Sequence, residues 1–165
     1  MTRKLGSLLG DAEDVSRRKQ LATVAFRSLW QLWSRRHHIH EKLRIRLYNA
    51  YVLPVLLYNS GTWALTIAAT RSLEAFHRRQ LRSLIGVTWP HRISNDKLYE
   101  RCSAEPLGVT LVKSRWRLFG HVLRLPYDTP AKIAMAEYFE QRNAQTFRGR
   151  PRITLPQRLH EAIKR

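Results

Sequence analysis

Residues 70–86, TRSLEAFHRRQLRSLIG, fit one secondary structure and give it two chemically opposed sides. At about 100° per residue, Leu73, Phe76, His77, Gln80 and Leu84 share one helix face. Arg71, Arg78 and Arg82 fall within roughly 40° of one another on the opposite face. Thr70 is the expected N-cap, Glu74 the acidic residue of the first turn, and Gly86 the left-handed residue past the last turn. A row of arginines with no acidic i+4 partner repels itself. It is therefore expected either to lie against phosphate or to be a solvated surface face.

The rest of the chain bears on that choice. Its 165 residues carry 30 Lys and Arg against 12 Asp and Glu, a net charge of +18 that favours a polyanion over an acidic metabolite. The excess is uneven, because residues 15–95 hold fourteen Lys and Arg and only Glu41 and Glu74. With 44% hydrophobic residues, a chain of this length buries one core, so the charge does not mark disorder. No apolar run reaches the ~18 residues of a membrane span, and no signal-peptide pattern opens the chain. Cys102 is the single cysteine, which excludes an internal disulfide and a two-cysteine zinc site. The expected partner is RNA, DNA or an RNA/DNA hybrid, with no membrane, and the expected location is intracellular, in nucleus or cytoplasm.

A first helix is expected over residues 15–36, capped by Asp11 or Asp14, with Leu21, Val24, Ala25, Leu29 and Leu32 as its apolar stripe, widened by Trp30 and Trp33. Arg17, Arg18, Lys19 and Arg27 leave its start and middle positive, and positive charge at the start opposes the helix dipole, so they read as a ligand contact or a solvated charge run. His37, His38 and His40 have no nearby aspartate, pair of glutamates or cysteine to complete a metal shell, and a solvated or phosphate-facing loop is expected there rather than zinc. Leu43, Leu47, Tyr51 and Leu56 give the buried spine of the next helix, which kinks or restarts at Pro54, while Lys42, Arg44 and Arg46 radiate around it. Ser94 caps a short helix to about Cys102, and His91 and Arg92 project toward the arginine row from an extended turn at Trp89 and Pro90.

Residues 106–109 are expected to link to a helix in which Lys113, Arg117 and Arg124 form a second cationic stripe opposite Leu111, Leu118, Phe119 and Val122. Arg115 falls in the apolar arc, where it snorkels or pairs with a carboxylate, and Gly120 weakens the helix or admits a close neighbour. Thr129 and Pro130 start a helix to about Gln141. Arg148 and Arg150 belong to a basic linker followed by a short terminal helix. No strand set builds a sheet. The expected fold is all-α, an irregular helical bundle of about five to six helices with a flexible basic C-terminal arm. Its divisions are residues 1–10, 11–141 and 142–165.

KLGSLLGD, LYNAYVLPVLLYNSGTW, LEAFHRRQLRSLIGVTWPHRISNDKLYE, RWRLFGHVLRLP and RGRP, in that order, resemble the C-terminal part of reverse transcriptases from non-LTR (LINE-type) retrotransposons. The resemblance covers residues 4–151 and implies that residues 1–10 are the remnant of a segment leaving the catalytic palm. The helices after it would form a thumb and connecting region that grips template and primer. The chain departs from that family at Lys4, where an aromatic is usual, and at Gly61, where a glutamate is usual.

The family's paired aspartates are absent. Nucleotidyl transfer by two metals about 3.5–4 Å apart needs clustered carboxylates, and the acids here are scattered singly or in a capping context. No catalytic residue, metal site or cofactor is therefore expected in this chain, and Mg2+ belongs only to the parent polymerase. Phosphate contacts are expected from Arg17, Arg18, Arg71, Arg78, Arg82, Arg92, Lys113, Arg117, Arg124, Arg148 and Arg150. Trp89 and Tyr99 are expected in the core rather than stacked on bases. Two further readings stay open. One is an RNA-directed DNA polymerase completed in trans by a separate palm and fingers polypeptide, to which the orphan Leu8 and Leu9 would belong. The other is a helical protein-interaction module, disfavoured because the arginine stripes lack flanking exposed apolar anchors. Ser94, His91 and Asp96 lie close in sequence, which is no sign of a catalytic triad.

Overall fold

Gly10, extended at φ −91° and ψ 122°, leads into α1 (Asp11–Ser28), and Asp11, Glu13 and Asp14 fill the first turn, where the helix dipole favours negative charge. The computed structural model describes residues 3–4, 7–8, 10–35 and 37–140. The two expected capping aspartates serve a tertiary role instead. Asp11 Oδ2 accepts the Ala64 N–H at 2.9 Å and Asp14 Oδ2 accepts Trp63 Nε1–H at 3.0 Å, tying α1 to the segment that precedes the arginine helix.

The buried side of α1 is Val15, Arg18, Ala22 and Phe26, and the expected stripe at Leu21 and Val24 faces solvent, Val24 being 65% exposed. The helix is apolar on two sides, and the side that buries is the one whose charge is satisfied. Arg18 sits 3.7 Å from Asp14 and 4.2 Å above the Tyr58 ring. α1 ends at Leu29, and α2 (Trp30–Ser34) turns Trp33 into the core. There Trp33 Nε1–H donates to the Phe26 carbonyl at 2.7 Å and the two rings stack at 5.3 Å, while Trp30 stays exposed.

α3 (Glu41–Leu47), a π turn (Tyr48–Val52) and α4 (Leu53–Leu56) follow one another without interruption. Pro54 has no N–H and its ring collides with the carbonyl four residues back, so the ladder slips by one residue. Leu53 N–H donates to the Tyr48 carbonyl, and Pro54 lies in the first turn of α4. The buried face is Arg44, Ile45, Tyr48, Val52 and Leu56, and the expected spine residues Leu43 and Tyr51 are exposed. Arg44, expected to radiate outward, is instead buried, with Nη1 donating to the Leu84 carbonyl near the negative end of the arginine helix.

That helix, α5 (Ile67–Ile85), begins a turn earlier than expected. Thr66 is the N-cap, its Oγ1 accepting the Ala69 N–H at 3.1 Å, and Thr70 donates its hydroxyl to the Thr66 carbonyl. Glu74 consequently lies beyond the first turn. Gly86 closes the helix at φ 80°, with Val87 N–H donating to the Arg82 carbonyl at 2.9 Å. α6 (Asn95–Cys102) is capped by Ser94, whose Oγ accepts the Lys97 N–H. α7 (Leu107–Arg124) starts at once after Pro106, so the expected link is its first turn. α8 (Pro130–Glu140) follows Thr129.

α5 is central and packs against α1, α3, α6 and α7. Its Leu73, Leu81 and Leu84 meet Tyr48, Val52, Leu56, Trp33, Trp63, Leu98, Leu107 and Leu111 in one core. A 3-10 turn (Ser60–Thr62) carries α7, and a Cβ on Gly61 would lie 3.2 Å from the Ser114 carbonyl oxygen. The absent side chain lets the α7 backbone approach closely there, whereas a Cβ on Gly120 meets only the tip of Arg124, so Gly120 admits no close neighbour. Arg115 Nε donates to the Trp63 carbonyl at 3.2 Å. Among the described residues one antiparallel pair lies beside the helices, β1 (Arg3–Lys4) with β2 (Ser7–Leu8), Arg3 opposite Leu8. The fold is an all-α irregular bundle. The expected C-terminal arm and terminal helix lie outside the described residues.

Candidate nucleic-acid interface

The inner side of α5 is polar at its centre. His77 and Gln80 are buried, and the Tyr48 hydroxyl reaches both. Burial, with a smaller contribution from the Arg78 charge, pushes the His77 imidazole down to about 4, so it is neutral at physiological pH.

The outer side carries Arg71, Arg78 and Arg82. Arg78 lies 3.8 Å from Glu74 one turn earlier, so the row does have an acidic i,i+4 neighbour. Glu74 has further work: Oε1 accepts the Tyr99 hydroxyl and Oε2 accepts the Gly108 N–H at 3.2 Å, joining α5, α6 and α7. Burial and that carboxylate push the Tyr99 phenol up to about 12. Arg82 Nη2 donates to Asn95 Oδ1 at 2.7 Å and toward the Ile93 carbonyl at 3.4 Å, which fixes the guanidinium against the start of α6.

Two clefts open on this side. The larger, of about 690 Å³, has Glu74, Arg78, Asn95, Asp96 and Tyr99 among its walls and Val109 and Val112 of α7 opposite. The smaller, of about 380 Å³, is lined by Arg82, Val87, Trp89, His91, Arg92 and Ile93. The Arg82–Asn95 hydrogen bond joins a wall of one to a wall of the other. Trp89, which precedes a cis bond to Pro90, is 84% exposed, contrary to the expected core position.

The structure thus brings Arg82 and Arg92 to one cleft and places Arg78 on the wall of the adjoining one, and Arg71 continues the α5 row. It withdraws others. Arg18 is buried on Asp14 and Tyr58, and Arg17 is half-buried, its Nη1 without a hydrogen-bond partner among the described residues. Lys113 pairs with Glu105 at 2.6 Å. Lys113, Arg117 and Arg124 are exposed on α7, and none of them lines either cleft. Arg148 and Arg150 lie outside the described residues. Lys19, one of the basic residues expected on the first helix, reaches Ser72 Oγ with its Nζ at 2.7 Å and adds a cation from α1 beside the α5 row. Sequence reasoning missed an apolar row on α7. Val109, Val112, Trp116 and Leu123 are exposed at helical spacing next to the α7 cations, so an apolar anchor does flank that stripe.

His40 Nδ1 accepts the Lys42 N–H at 3.2 Å and caps α3. Among the described residues no group of three His, Cys, Asp or Glu is placed to hold a metal ion, and no helix is long and apolar enough to cross a membrane. Fold and surface define an all-α protein with a cationic helix face bordered by two adjoining clefts. The chain matches no family model, no curated protein and no solved structure.

Proposed function

We propose that this chain is a thumb-like nucleic-acid-binding module of a non-LTR retrotransposon reverse transcriptase, which grips template and primer by their phosphates without reading bases. The observation that carries it is the alignment of Arg71, Arg78 and Arg82 on α5 with Arg92 at the adjoining cleft. Guanidinium groups fork onto phosphate oxygens, and a strand laid along the row relieves their mutual repulsion. RNA, DNA and hybrid all offer that backbone. In this proposal the chain has no catalytic residue of its own, and Mg2+ and nucleotidyl transfer belong to the parent polymerase. With about four phosphates engaged, log K for B-form duplex falls against log salt with a slope near −3.6. Titrations of duplex and hybrid across a salt series test it, and a flat salt response sinks it.

A second reading draws on the exposed row Val109, Val112, Trp116 and Leu123 of α7. Cations flank that row and the chain carries +18, so a second copy is repelled from it. The occupant in this reading is a separate palm and fingers polypeptide, completing an RNA-directed DNA polymerase in trans. Primer extension by such a polypeptide should rise when the chain is added and lose that rise with Trp116→Glu. Extension equal to that of the palm polypeptide alone removes the reading.

A further inference from the structure

Trp89 is 84% exposed in a chain that buries Trp33 and Trp63 almost completely. An indole left in water keeps a large apolar face unpaired, and its surroundings are not those of an ordinary surface residue. It lines the smaller cleft beside Arg82, Val87, His91, Arg92 and Ile93. Val87 and Ile93 are half-buried and Ile93 packs against the core, so this part of the wall is fixed. Arg82 is also fixed, by its bonds to Asn95 and the Ile93 carbonyl. A cleft of about 380 Å³ is at the small end of the size range of small-ligand sites.

The walls thus offer one open aromatic face and two guanidinium groups. The ligand that meets both needs is a flat ring with an attached phosphate. From this geometry we infer that the cleft takes one unpaired nucleotide of a nucleic-acid strand, the base stacked on Trp89 and the phosphate held by Arg82 and Arg92. The inference rests on the proposed phosphate grip of α5. Arg71 and Arg82 are separated by about 16 Å at 1.5 Å per residue, and the Arg82 end of that row is the end at the cleft. A duplex lying along the row delivers a single-stranded tail to Trp89. The module in this form prefers junctions of paired and unpaired strand over blunt duplex.

Three fluorescent DNA probes test this by anisotropy: a blunt duplex, the same duplex with a short thymidine tail, and the same duplex with an abasic tail of equal length. The abasic tail keeps the phosphates and removes the rings. The thymidine tail should bind about tenfold more tightly than the abasic one, within the range that base stacking on an aromatic contributes. Trp89→Ala should erase that difference and leave the blunt duplex unchanged, and Trp89→Phe should keep most of it. Equal binding of the two tails, or a difference that survives Trp89→Ala, overturns the stacking site and leaves the phosphate grip standing. Displacement of the tail by thymidine monophosphate at matched concentration overturns it too, in favour of a free nucleotide. Failure of all three probes to bind overturns the grip and the stacking site together.

Discussion

The Tyr48 hydroxyl oxygen lies 2.8 Å from His77 Nδ1 and 3.0 Å from Gln80 Oε1, which joins the π turn to α5 inside the core. A phenol has one proton to give. With that proton donated to Gln80, the imidazole Nδ1–H donates to Tyr48, and the ring is satisfied as a neutral species. The slip in the helix ladder before Pro54 is part of the same arrangement, because Tyr48 is the first residue of the π turn.

Protonation of His77 therefore opposes folding. Its folded value of about 4 lies below the ordinary 6.5, so between those two pH values the unfolded chain binds more protons and stability falls as pH falls. The full window corresponds to about 3 kcal/mol. Urea melts of the wild type at pH 7.5 and pH 4.5 should differ by most of that amount beyond the change seen in His77→Gln. The same pH dependence in both proteins would show that another group is responsible.

Asp14 predicts a contrast between two substitutions. It is buried, accepts from the Trp63 indole and neighbours Arg18, which is itself buried. Asp14→Ala leaves that guanidinium without its counter-charge and should cost about 3–5 kcal/mol. Asp14→Asn keeps an acceptor for Trp63 and should cost less. Thermal melts that rank the two variants equally would mean that the ion pair with Arg18, and not the hydrogen bond from Trp63, dominates the site.

Legibility in the sequence followed how cleanly apolar residues segregate. On α5 the faces are distinct, and Leu73, His77, Gln80 and Leu84 pack as their spacing indicates. α1 and the helix through Tyr48 are apolar on more than one side, and each buries an arginine that a hydrophobic pattern assigns to solvent. Arg18 and Arg44 are inside because the Tyr58 ring and the Leu84 carbonyl receive them, each 40 residues away and outside any local window, with Asp14 one turn before Arg18 as its counter-charge. The candidate site was half legible for the same reason. The row on α5 is a property of one helix, whereas the junction of Arg82, Asn95 and Arg92 depends on how α6 docks. The exposure of Trp89 has no sequence signal, because a tryptophan before a proline reads the same inside or outside.

Glu74 offers a gain of function. It holds Tyr99 and the Gly108 N–H and sits 3.8 Å from Arg78, so it stabilises the junction of three helices while offsetting one cation of the row. Glu74→Gln keeps an acceptor oxygen but removes the charge. Duplex affinity should rise about threefold at low salt, because Arg78 then meets its phosphate without a competing carboxylate beside it. An unchanged affinity would place Arg78 outside the contact.

The two cationic stripes can be set against each other. Arg82 and Arg92 line the same cleft, whereas Arg117 and Arg124 stand exposed on α7 and line neither cleft. If the strand follows α5, the pair Arg82→Ala and Arg92→Ala should flatten the salt slope by about 1.8 and weaken binding more than tenfold at low salt. The pair Arg117→Ala and Arg124→Ala removes the same formal charge and should change binding by about threefold or less, through the long-range field alone. Arg82→Lys separates phosphate binding from structure, since a lysine keeps the charge but loses the fork that holds Asn95. Its slope should stay near the wild-type value even where stability falls. Equal losses from the two alanine pairs would mean that the protein attracts nucleic acid by net charge, with no preferred face.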